Sequence, residues 1–130
     1  RCIIHNPSYC APILRAAQVK PGTHLACIGT DTNGKQEVEA ELAAAATIFT
    51  DEVAQAVTIG EVQHPVAKGL LSEQAIVEIG AVINGAHPGR TSAQEITLFD
   101  GTGVGLQDLA VAYAAVERAT EKGLAIAINF

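Results

Sequence analysis

The sequence predicts an α/β protein in which helices pack on a buried parallel sheet. Short apolar runs alternate with helical patterns along the chain, which is typical of successive strand–helix units. Hydrophobic residues make up 48% of the 130 residues but aromatic residues only 4%. Ala, Val, Ile and Leu must therefore form the core, and this composition suits a buried parallel sheet. A chain of this length buries roughly two-thirds of its unfolded surface, enough for a single domain over residues 1–130.

The first half of the chain is predicted to hold three strands, each followed by a helical segment. The strands cover residues 2–4, 24–28 and 47–50, and the helical segments cover 12–19, 38–46 and 51–57. A turn at Asn6-Pro7-Ser8 ends the first strand. The segment 12–19 is short and reads as a helix or a loop, and Pro21-Gly22 stops it. Asp51 stands where an acidic side chain caps the third helix.

The second half is predicted to be mostly helical. Helices cover 59–70, interrupted by Pro65, then 72–83 and 105–122, with a strand at 96–99 and an apolar, strand-like run at 124–130. Ser72 caps the middle helix, Gly85 stops it, and Gly123 ends the last one. Residues 92–95, SAQE, match a capping box but precede a strand, so a cap and a turn with local side-chain bonds both stay open.

The most informative segment is KPGTHLACIGTDTNGKQE, residues 20–37. Its apolar run breaks into Gly29-Thr30-Asp31, and Lys35 follows four residues after the acid. The carboxyl end of a strand is where open α/β sheets place ligands and catalytic groups. Asp31 is therefore a candidate for proton transfer, although an Asx-turn that closes the loop explains the same position.

Charge and cysteine content exclude several classes of function. The net charge is −6 and the eight Lys and Arg are scattered singly, so we expect no nucleic-acid partner. No apolar run reaches the roughly 18 residues of a membrane span, and we expect no membrane association. The three cysteines are an odd number without CxxC spacing, which fits a reducing, cytoplasmic setting. The four histidines lack HxxxH and HxH spacing, so no metal site is predicted.

Two blocks resemble the ornithine cyclodeaminase/μ-crystallin family: residues 20–37, quoted above, and GRTSAQEITLFDGTGVGLQDLA, residues 89–110. They occur in the family's order, and the resemblance extends over the whole chain. The family comprises homodimeric NAD(P)-dependent ornithine cyclodeaminases, archaeal-type alanine dehydrogenases and ketimine and pyrroline-carboxylate reductases, and it includes the hormone-binding μ-crystallins. The resemblance implies the C-terminal half of a Rossmann-like parallel sheet with flanking helices. It also implies NAD or NADP as cofactor, a small amino or imino acid as substrate, and a homodimer.

The resemblance further implies roles for individual residues. Asp31 matches the acid that handles protons at the substrate amine, and Lys35 matches the lysine that contacts the dinucleotide. The implied cofactor-binding residues are His5, Asn6, Ile28, Gly29, Thr30, Asp31, Lys35 and Gly101. The implied substrate-binding residues are Asp31 and Thr102, whose hydroxyl stands one position after the family's serine.

The chain departs from the family at several places. His5 replaces a threonine, Asn33 a proline, and Gly101-Thr102 a Ser-Val pair near nicotinamide and substrate. The family's N-terminal domain, its G-x-G-x-x-G turn and its substrate-binding Arg and Lys have no counterpart here, and we read GTGVG at 101–105 as a turn. With no methionine and an apolar start after Arg1, the chain is expected to be a piece of a longer protein. By itself it is expected to bind cofactor weakly or not at all.

Three hypotheses follow from these observations. The first is a portion of an NAD(P)-dependent cyclodeaminase-like enzyme in which Asp31 is the acid/base group. The second is a non-catalytic μ-crystallin-like protein that binds NAD(P)H and a small ligand, with the small residues Gly101-Thr102 widening the pocket. The third is a standalone α/β domain that covers an open sheet edge by self-association. The first hypothesis predicts turnover, and the second predicts ligand binding without oxidation. The third predicts self-association, and sedimentation that showed a stable folded monomer would count against it.

Overall fold

A parallel sheet forms the centre of the protein, as the sequence predicts. The computed structural model describes residues 2–5 and 10–128. Among these residues, five strands form one sheet in the order β1, β3, β7, β5, β6, and every pair is parallel. The strands of this sheet are β1 Cys2–His5, β3 His24–Cys27, β5 Thr47–Thr50, β6 Val77–Glu78 and β7 Thr97–Asp100.

One face of the sheet carries the core. Leu25, Ile48 and Leu98 stand at matching positions of neighbouring strands, and each is at most 1% exposed. The helices packed on the core are α1 Ala40–Ala44, α2 Val53–Ile59 and α3 Gln63–Ala67. Their contributions include Leu42 and Ala56, both buried in the same cluster. Burial of each Leu or Ile side chain stabilises the fold by about 2 kcal/mol, so this face holds the sheet and helices together.

A second, two-stranded parallel sheet replaces the helix or loop predicted at 12–19. It pairs β2 Cys10–Leu14 with β4 Gln36–Val38, and a short 3-10 turn, Ala16–Gln18, follows β2. The carbonyl of Leu14 accepts a hydrogen bond from the Glu39 backbone N–H at 2.9 Å. This pairing joins segments more than twenty residues apart, so local pattern did not reveal it. The predicted helix 38–46 is shorter in the structure and covers Ala40–Ala44, because Val38 belongs to β4.

The prediction of a single helix at 72–83 is wrong. The segment divides into a 3-10 turn at Glu73–Ala75, strand β6 and helix α4 Ile79–Ile83. β6 pairs with the edge of β5, where Phe49 stands opposite Val77. Sheet pairing at this edge, together with the β-branched pair Ile76-Val77, outweighs the helical periodicity.

Helix α5, Gly105–Glu121, follows β7 and matches the predicted helix within one residue. Gly123 follows it at φ +65°, the left-handed conformation that commonly ends a helix. The apolar residues of α5 are exposed in the described chain, including Leu106, Leu109, Val111, Tyr113 and Val116. Residues 124–128 form no strand. No helix in the described part of the chain is long and apolar enough to cross a membrane.

Candidate functional site

A cleft of about 280 Å³ opens at the carboxyl ends of β3 and β7. These strands are neighbours, and Cys27 stands opposite Asp100 where they end. The loops that follow the two strands therefore meet. The cleft is lined by Ile28, Asp31, Asp51, Phe99, Gly101, Thr102, Gly103 and Gln107. Two separate segments of the sequence, 20–37 and 89–110, thus contribute to one site.

Asp31 and Lys35 form an ion pair at the mouth of this cleft. The Lys35 Nζ lies 2.6 Å from the Asp31 Oδ1 and 3.4 Å from the carbonyl oxygen of Gly29. Hydrogen bonds from Lys35 and Thr32 and the charge of Lys35 hold the pKa of the exposed Asp31 carboxyl below its usual value. Asp31 is therefore a carboxylate at neutral pH, able to accept a proton or to hold a cationic amine.

Thr30 and Ile28 face opposite directions from the same loop. The Thr30 hydroxyl is buried and donates to Glu61 Oε2 at 2.5 Å, so its side chain points into the protein. Ile28 is half-exposed and lines the cleft with Phe99. Of the loop's predicted cofactor-binding residues, Ile28 and Asp31 present side chains to the cleft, whereas Thr30 presents none.

The turn after β7 is held by Asp51 and Gln55. Asp51 accepts hydrogen bonds from the Thr102 hydroxyl at 3.0 Å and the Gly103 backbone N–H at 2.9 Å. The Gln55 amide donates to the same hydroxyl at 3.0 Å and to the Gly103 carbonyl at 2.8 Å. The Thr102 hydroxyl is therefore already engaged by two protein side chains. Its predicted part in substrate binding stays a prediction.

Asp51 is not the helix cap that its position suggested. Glu52 takes that place, and its side chain accepts from the Ala54 N–H at 3.3 Å. Partial burial acts to raise the pKa of Asp51, but hydrogen bonds from Thr102 and Gly103 outweigh it and keep the pKa low. The sequence did carry a signal for this site residue, because Asp51 directly follows a strand, and Asp31 lies in the loop four residues after one.

Gly101 allows two apolar side chains to meet at the floor of the cleft. A Cβ at this position would lie 2.9 Å from the Phe99 ring and 3.3 Å from Ile28 Cγ2. A serine, which the family resemblance implies at this position, would fit only if the Phe99 ring moved. The glycine therefore sets the shape of the cleft through Phe99.

Of the two remaining predicted site residues, the structure describes only His5. His5 is the last residue of β1 and stands opposite Cys27, at the same sheet edge as the cleft. Asn6 lies outside the described residues. No group of three or more His, Cys, Asp or Glu side chains arranged to hold a metal occurs within residues 2–5 and 10–128.

Asp100, a buried acid beneath the cleft, was not singled out from the sequence. It is the last residue of β7 and is fully buried, and its Oδ2 accepts from the Val62 backbone N–H at 3.0 Å. Its Oδ1 has no hydrogen-bond partner among the described residues. Burial raises the pKa of Asp100 to about 7, and the nearby charges of Glu61 and Asp51 act in the same direction.

The raised pKa of Asp100 makes stability depend on pH in a defined window. The folded state binds the Asp100 proton more tightly than the unfolded state, so the contribution of Asp100 to stability falls as pH rises from about 4 to about 7. Asparagine carries no charge at any pH. We therefore expect Asp100→Asn to remove the fall in the free energy of unfolding that Asp100 causes over this pH range, on the order of 4 kcal/mol. Urea unfolding of both proteins at about pH 4 and about pH 8 measures it. Equal pH slopes in the two proteins would contradict the assignment.

The architecture defines a class of protein. An open, all-parallel sheet with a cleft at the carboxyl ends of neighbouring strands is the arrangement of nucleotide-binding α/β domains. The chain belongs to the ornithine cyclodeaminase/mu-crystallin family, whose profile matches residues 4–123. The resemblance drawn from residues 20–37 and 89–110 is thereby confirmed.

Curated relatives extend the match over most of the chain. It is 57% identical over 123 residues to the iminosuccinate reductase of Paracoccus denitrificans, covering 95% of this chain and 38% of that protein. Identity to the alanine dehydrogenase of Archaeoglobus fulgidus is 42% over 120 residues, covering 92% of this chain and 37% of that protein. The chain therefore spans less than half the length of these relatives.

Solved structures agree with the sequence relatives. The Paracoccus denitrificans iminosuccinate reductase in complex with NAD+ matches with a TM-score of 0.93 at 53% identity, covering 99% of this chain and 40% of that one. An archaeal alanine dehydrogenase dimer with bound NAD matches with a TM-score of 0.89 at 38% identity, covering 99% of this chain and 41% of that one. The predicted Rossmann-like α/β fold is confirmed.

Proposed function

We propose that this chain is the nicotinamide-side portion of an NAD(P)-dependent enzyme that interconverts a small amino acid and its imino acid. The observation that carries the proposal is the Asp31 carboxylate, held by Lys35 at the mouth of a strand-end cleft. The cleft combines this charge with the apolar side chains of Ile28 and Phe99. A carboxylate beside an apolar wall suits a reaction that moves a proton at an amine next to a flat aromatic ring.

The residues present fit a nicotinamide group. Ile28 and Phe99 offer apolar surface, and Gly101 leaves the space between them free of a Cβ. Lys35 offers the only ammonium paired with a cleft residue in the described chain. We assign Ile28, Gly29 and Gly101 to contact with the nicotinamide half and Lys35 to the dinucleotide, and we propose His5 and Asn6 as further cofactor contacts. The bound cofactor would supply or take up the hydride.

Asp31 performs the proton chemistry in this proposal. In the oxidative direction the substrate ammonium loses a proton to the Asp31 carboxylate, and the Cα–H bond breaks as its electron pair leaves as hydride. The nitrogen lone pair then forms the C=N bond of an iminium ion. In the reductive direction the iminium carbon accepts hydride, and Asp31 returns the proton to the amine. The low pKa of Asp31, caused first by the hydrogen bond from Lys35, keeps it ionised and ready to accept.

The relatives favour redox chemistry over cyclising deamination. The iminosuccinate reductase and the alanine dehydrogenase are 57% and 42% identical to the chain, whereas the lysine cyclodeaminase structure is 25% identical. We therefore propose imine reduction, or its reverse, as the reaction. A homodimer in the cytoplasm completes the proposal, and one of the structural neighbours is itself a dimer.

Assays with reduced cofactor test this function. In the full natural polypeptide that contains these residues, we expect NADH or NADPH to be consumed when oxaloacetate or pyruvate is supplied with ammonium. The 2-oxo acid and ammonium form the imine in solution. Omitting ammonium is the control and should abolish consumption. Tight binding of NAD(P)H without any turnover would favour a non-catalytic binding protein instead.

Lys35 provides a separate prediction about the cofactor. Replacing Lys35 with Gln removes the ammonium from the cleft mouth, and we expect roughly tenfold weaker NAD(P)H binding. The matched control is Lys68→Gln, because Lys68 pairs with Glu41 on the surface at 3.3 Å, away from the cleft. Fluorescence titration of NAD(P)H measures both variants. Equal affinities would contradict the assigned role of Lys35.

A further inference from the structure

Glu61 is a buried carboxylate behind the loop that carries Asp31 and Lys35. It lies between α2 and α3 and is 1% exposed. Its two oxygens accept from the Thr30 hydroxyl at 2.5 Å, the Val38 backbone N–H at 2.6 Å and the Glu37 backbone N–H at 3.0 Å. Thr30 precedes Asp31, and Glu37 follows Lys35 by two residues. One side chain therefore binds both ends of the loop.

Such a buried charge is stable only while its hydrogen-bond donors stay in place. Removing a carboxylate from water is unfavourable, and hydrogen bonds to the charged form must offset that cost. Burial raises the pKa of Glu61, and the bonds from Thr30, Val38 and Glu37 act against it. If the loop opened, the Glu61 carboxylate would lose these donors but would stay buried between α2 and α3. Its burial thus favours a single closed loop conformation.

The residues after Glu61 hold the middle of the same loop. Gln63 Oε1 accepts from the Gly34 backbone N–H at 2.8 Å, and its amide nitrogen donates to the Thr32 carbonyl at 3.3 Å. His64 Nε2 lies 2.5 Å from the Lys35 carbonyl oxygen. The segment 61–64 therefore contacts the loop at its start, middle and end, although no residue of this segment lines the cleft.

We propose that Glu61 is a positioning residue, which fixes the loop of residues 30–38 so that the Asp31–Lys35 ion pair faces the cleft. Its catalytic consequence rests on the function proposed above, whereas its effect on the loop does not. Misplacing a reacting group by about 1 Å can cost roughly a hundredfold in rate. We expect loss of the Glu61 carboxylate to lower kcat roughly tenfold to a hundredfold, with a smaller change in KM.

Three substitutions separate this role from general stability. Glu61→Gln keeps the shape and one acceptor oxygen, Glu61→Ala removes every contact, and Thr30→Val removes one donor without touching Glu61. The control is Glu41→Gln, which removes an exposed carboxylate of α1 whose ion pair with Lys68 is on the surface and is screened by solvent. If Glu61→Ala does not fold, Thr30→Val and Glu61→Gln still carry the test.

Two measurements on the full natural polypeptide decide the proposal. Amide hydrogen exchange over residues 30–38 should quicken at least tenfold in Glu61→Gln and Thr30→Val, and not in Glu41→Gln. The acidic limb of the pH profile of kcat/KM reports the pKa of Asp31. This limb should move to higher pH in the same two variants, because a loosened loop separates Asp31 from Lys35. If Glu61 only stabilised the fold, its substitution would lower the midpoint of unfolding without shifting the acidic limb.

The possible outcomes are distinct. Unchanged exchange in the loop overturns the proposal whatever the activity. Faster exchange with an unmoved acidic limb and unchanged kcat also overturns it, because the loop would then not position the pair. Absence of turnover in the unsubstituted protein would instead count against the proposed function, and hydrogen exchange alone would then decide whether Glu61 fixes the loop.

Discussion

Replacing Asp31 with Asn is expected to lower kcat by roughly 10²- to 10⁴-fold, the range for loss of a general acid–base group. Asparagine retains an oxygen that can accept the hydrogen bond which Lys35 now donates at 2.6 Å, so the loop should keep its shape. It cannot take a proton from the substrate amine. Steady-state kinetics of the full natural polypeptide with an amino acid and NAD(P)+ measure the loss.

A matched control for Asp31→Asn is Glu117→Gln on α5. Glu117 is exposed and accepts a hydrogen bond from Tyr113 at 2.9 Å, and it does not line the cleft. We expect Glu117→Gln to retain full turnover. If Asp31→Asn retained it as well, Asp31 would close the loop as a turn residue only, and its assigned proton transfer would be wrong.

Gly60→Ala is expected to cause the largest loss of stability, about 3 kcal/mol, at the upper end of what overpacking typically costs. A Cβ at this position would lie 2.5 Å from Asp100 Oδ2, 2.8 Å from the Ala56 carbonyl oxygen and 2.9 Å from Ala56 Cα. Two of these three atoms are backbone atoms of α2, which cannot rotate away. Relief therefore requires α2 to shift from the sheet or Asp100 to lose its bond to Val62.

The control for Gly60→Ala is Gly80→Ala inside α4. No atom lies within 4 Å of a Cβ built on Gly80, so alanine there adds no clash and gains about 1 kcal/mol of helix propensity. Urea unfolding of the two variants beside the unsubstituted protein gives both changes in the free energy of unfolding. A Gly60→Ala variant as stable as the parent would mean that α2 packs less closely than described.

Much of the site was predictable because its determinants are local. The run from His24 to Cys27 has the apolar pattern of a strand, and Gly29, Thr30 and Asp31 interrupt that pattern at once. Thr47–Thr50 was likewise predicted to the residue from its β-branched and aromatic composition. The convergence of Asp31 with Gly101 and Thr102 on one cleft required more than pattern. It followed from the family resemblance of the two blocks.

The remaining features depend on distant contacts that no local pattern encodes. Asp100 and Glu61 look like ordinary acidic residues in the sequence, and only the packing of α2 and α3 against the sheet buries them. β2 pairs with β4 across more than twenty residues, which converts a predicted helix or loop into a strand. The direction of the Thr30 side chain is a further case, since its hydroxyl is drawn inward by Glu61 at 2.5 Å.

Transfer of deuterium from labelled cofactor tests the central claim most directly. The full natural polypeptide is given reduced NAD deuterated at the transferring position, together with ammonium and oxaloacetate, and the amino acid product is analysed by mass spectrometry. Imine reduction at the cleft of Asp31 predicts a product with one deuterium at Cα, and a rate that Asp31→Asn lowers at least a hundredfold. An unlabelled product, or none from any small 2-oxo acid, would contradict the account.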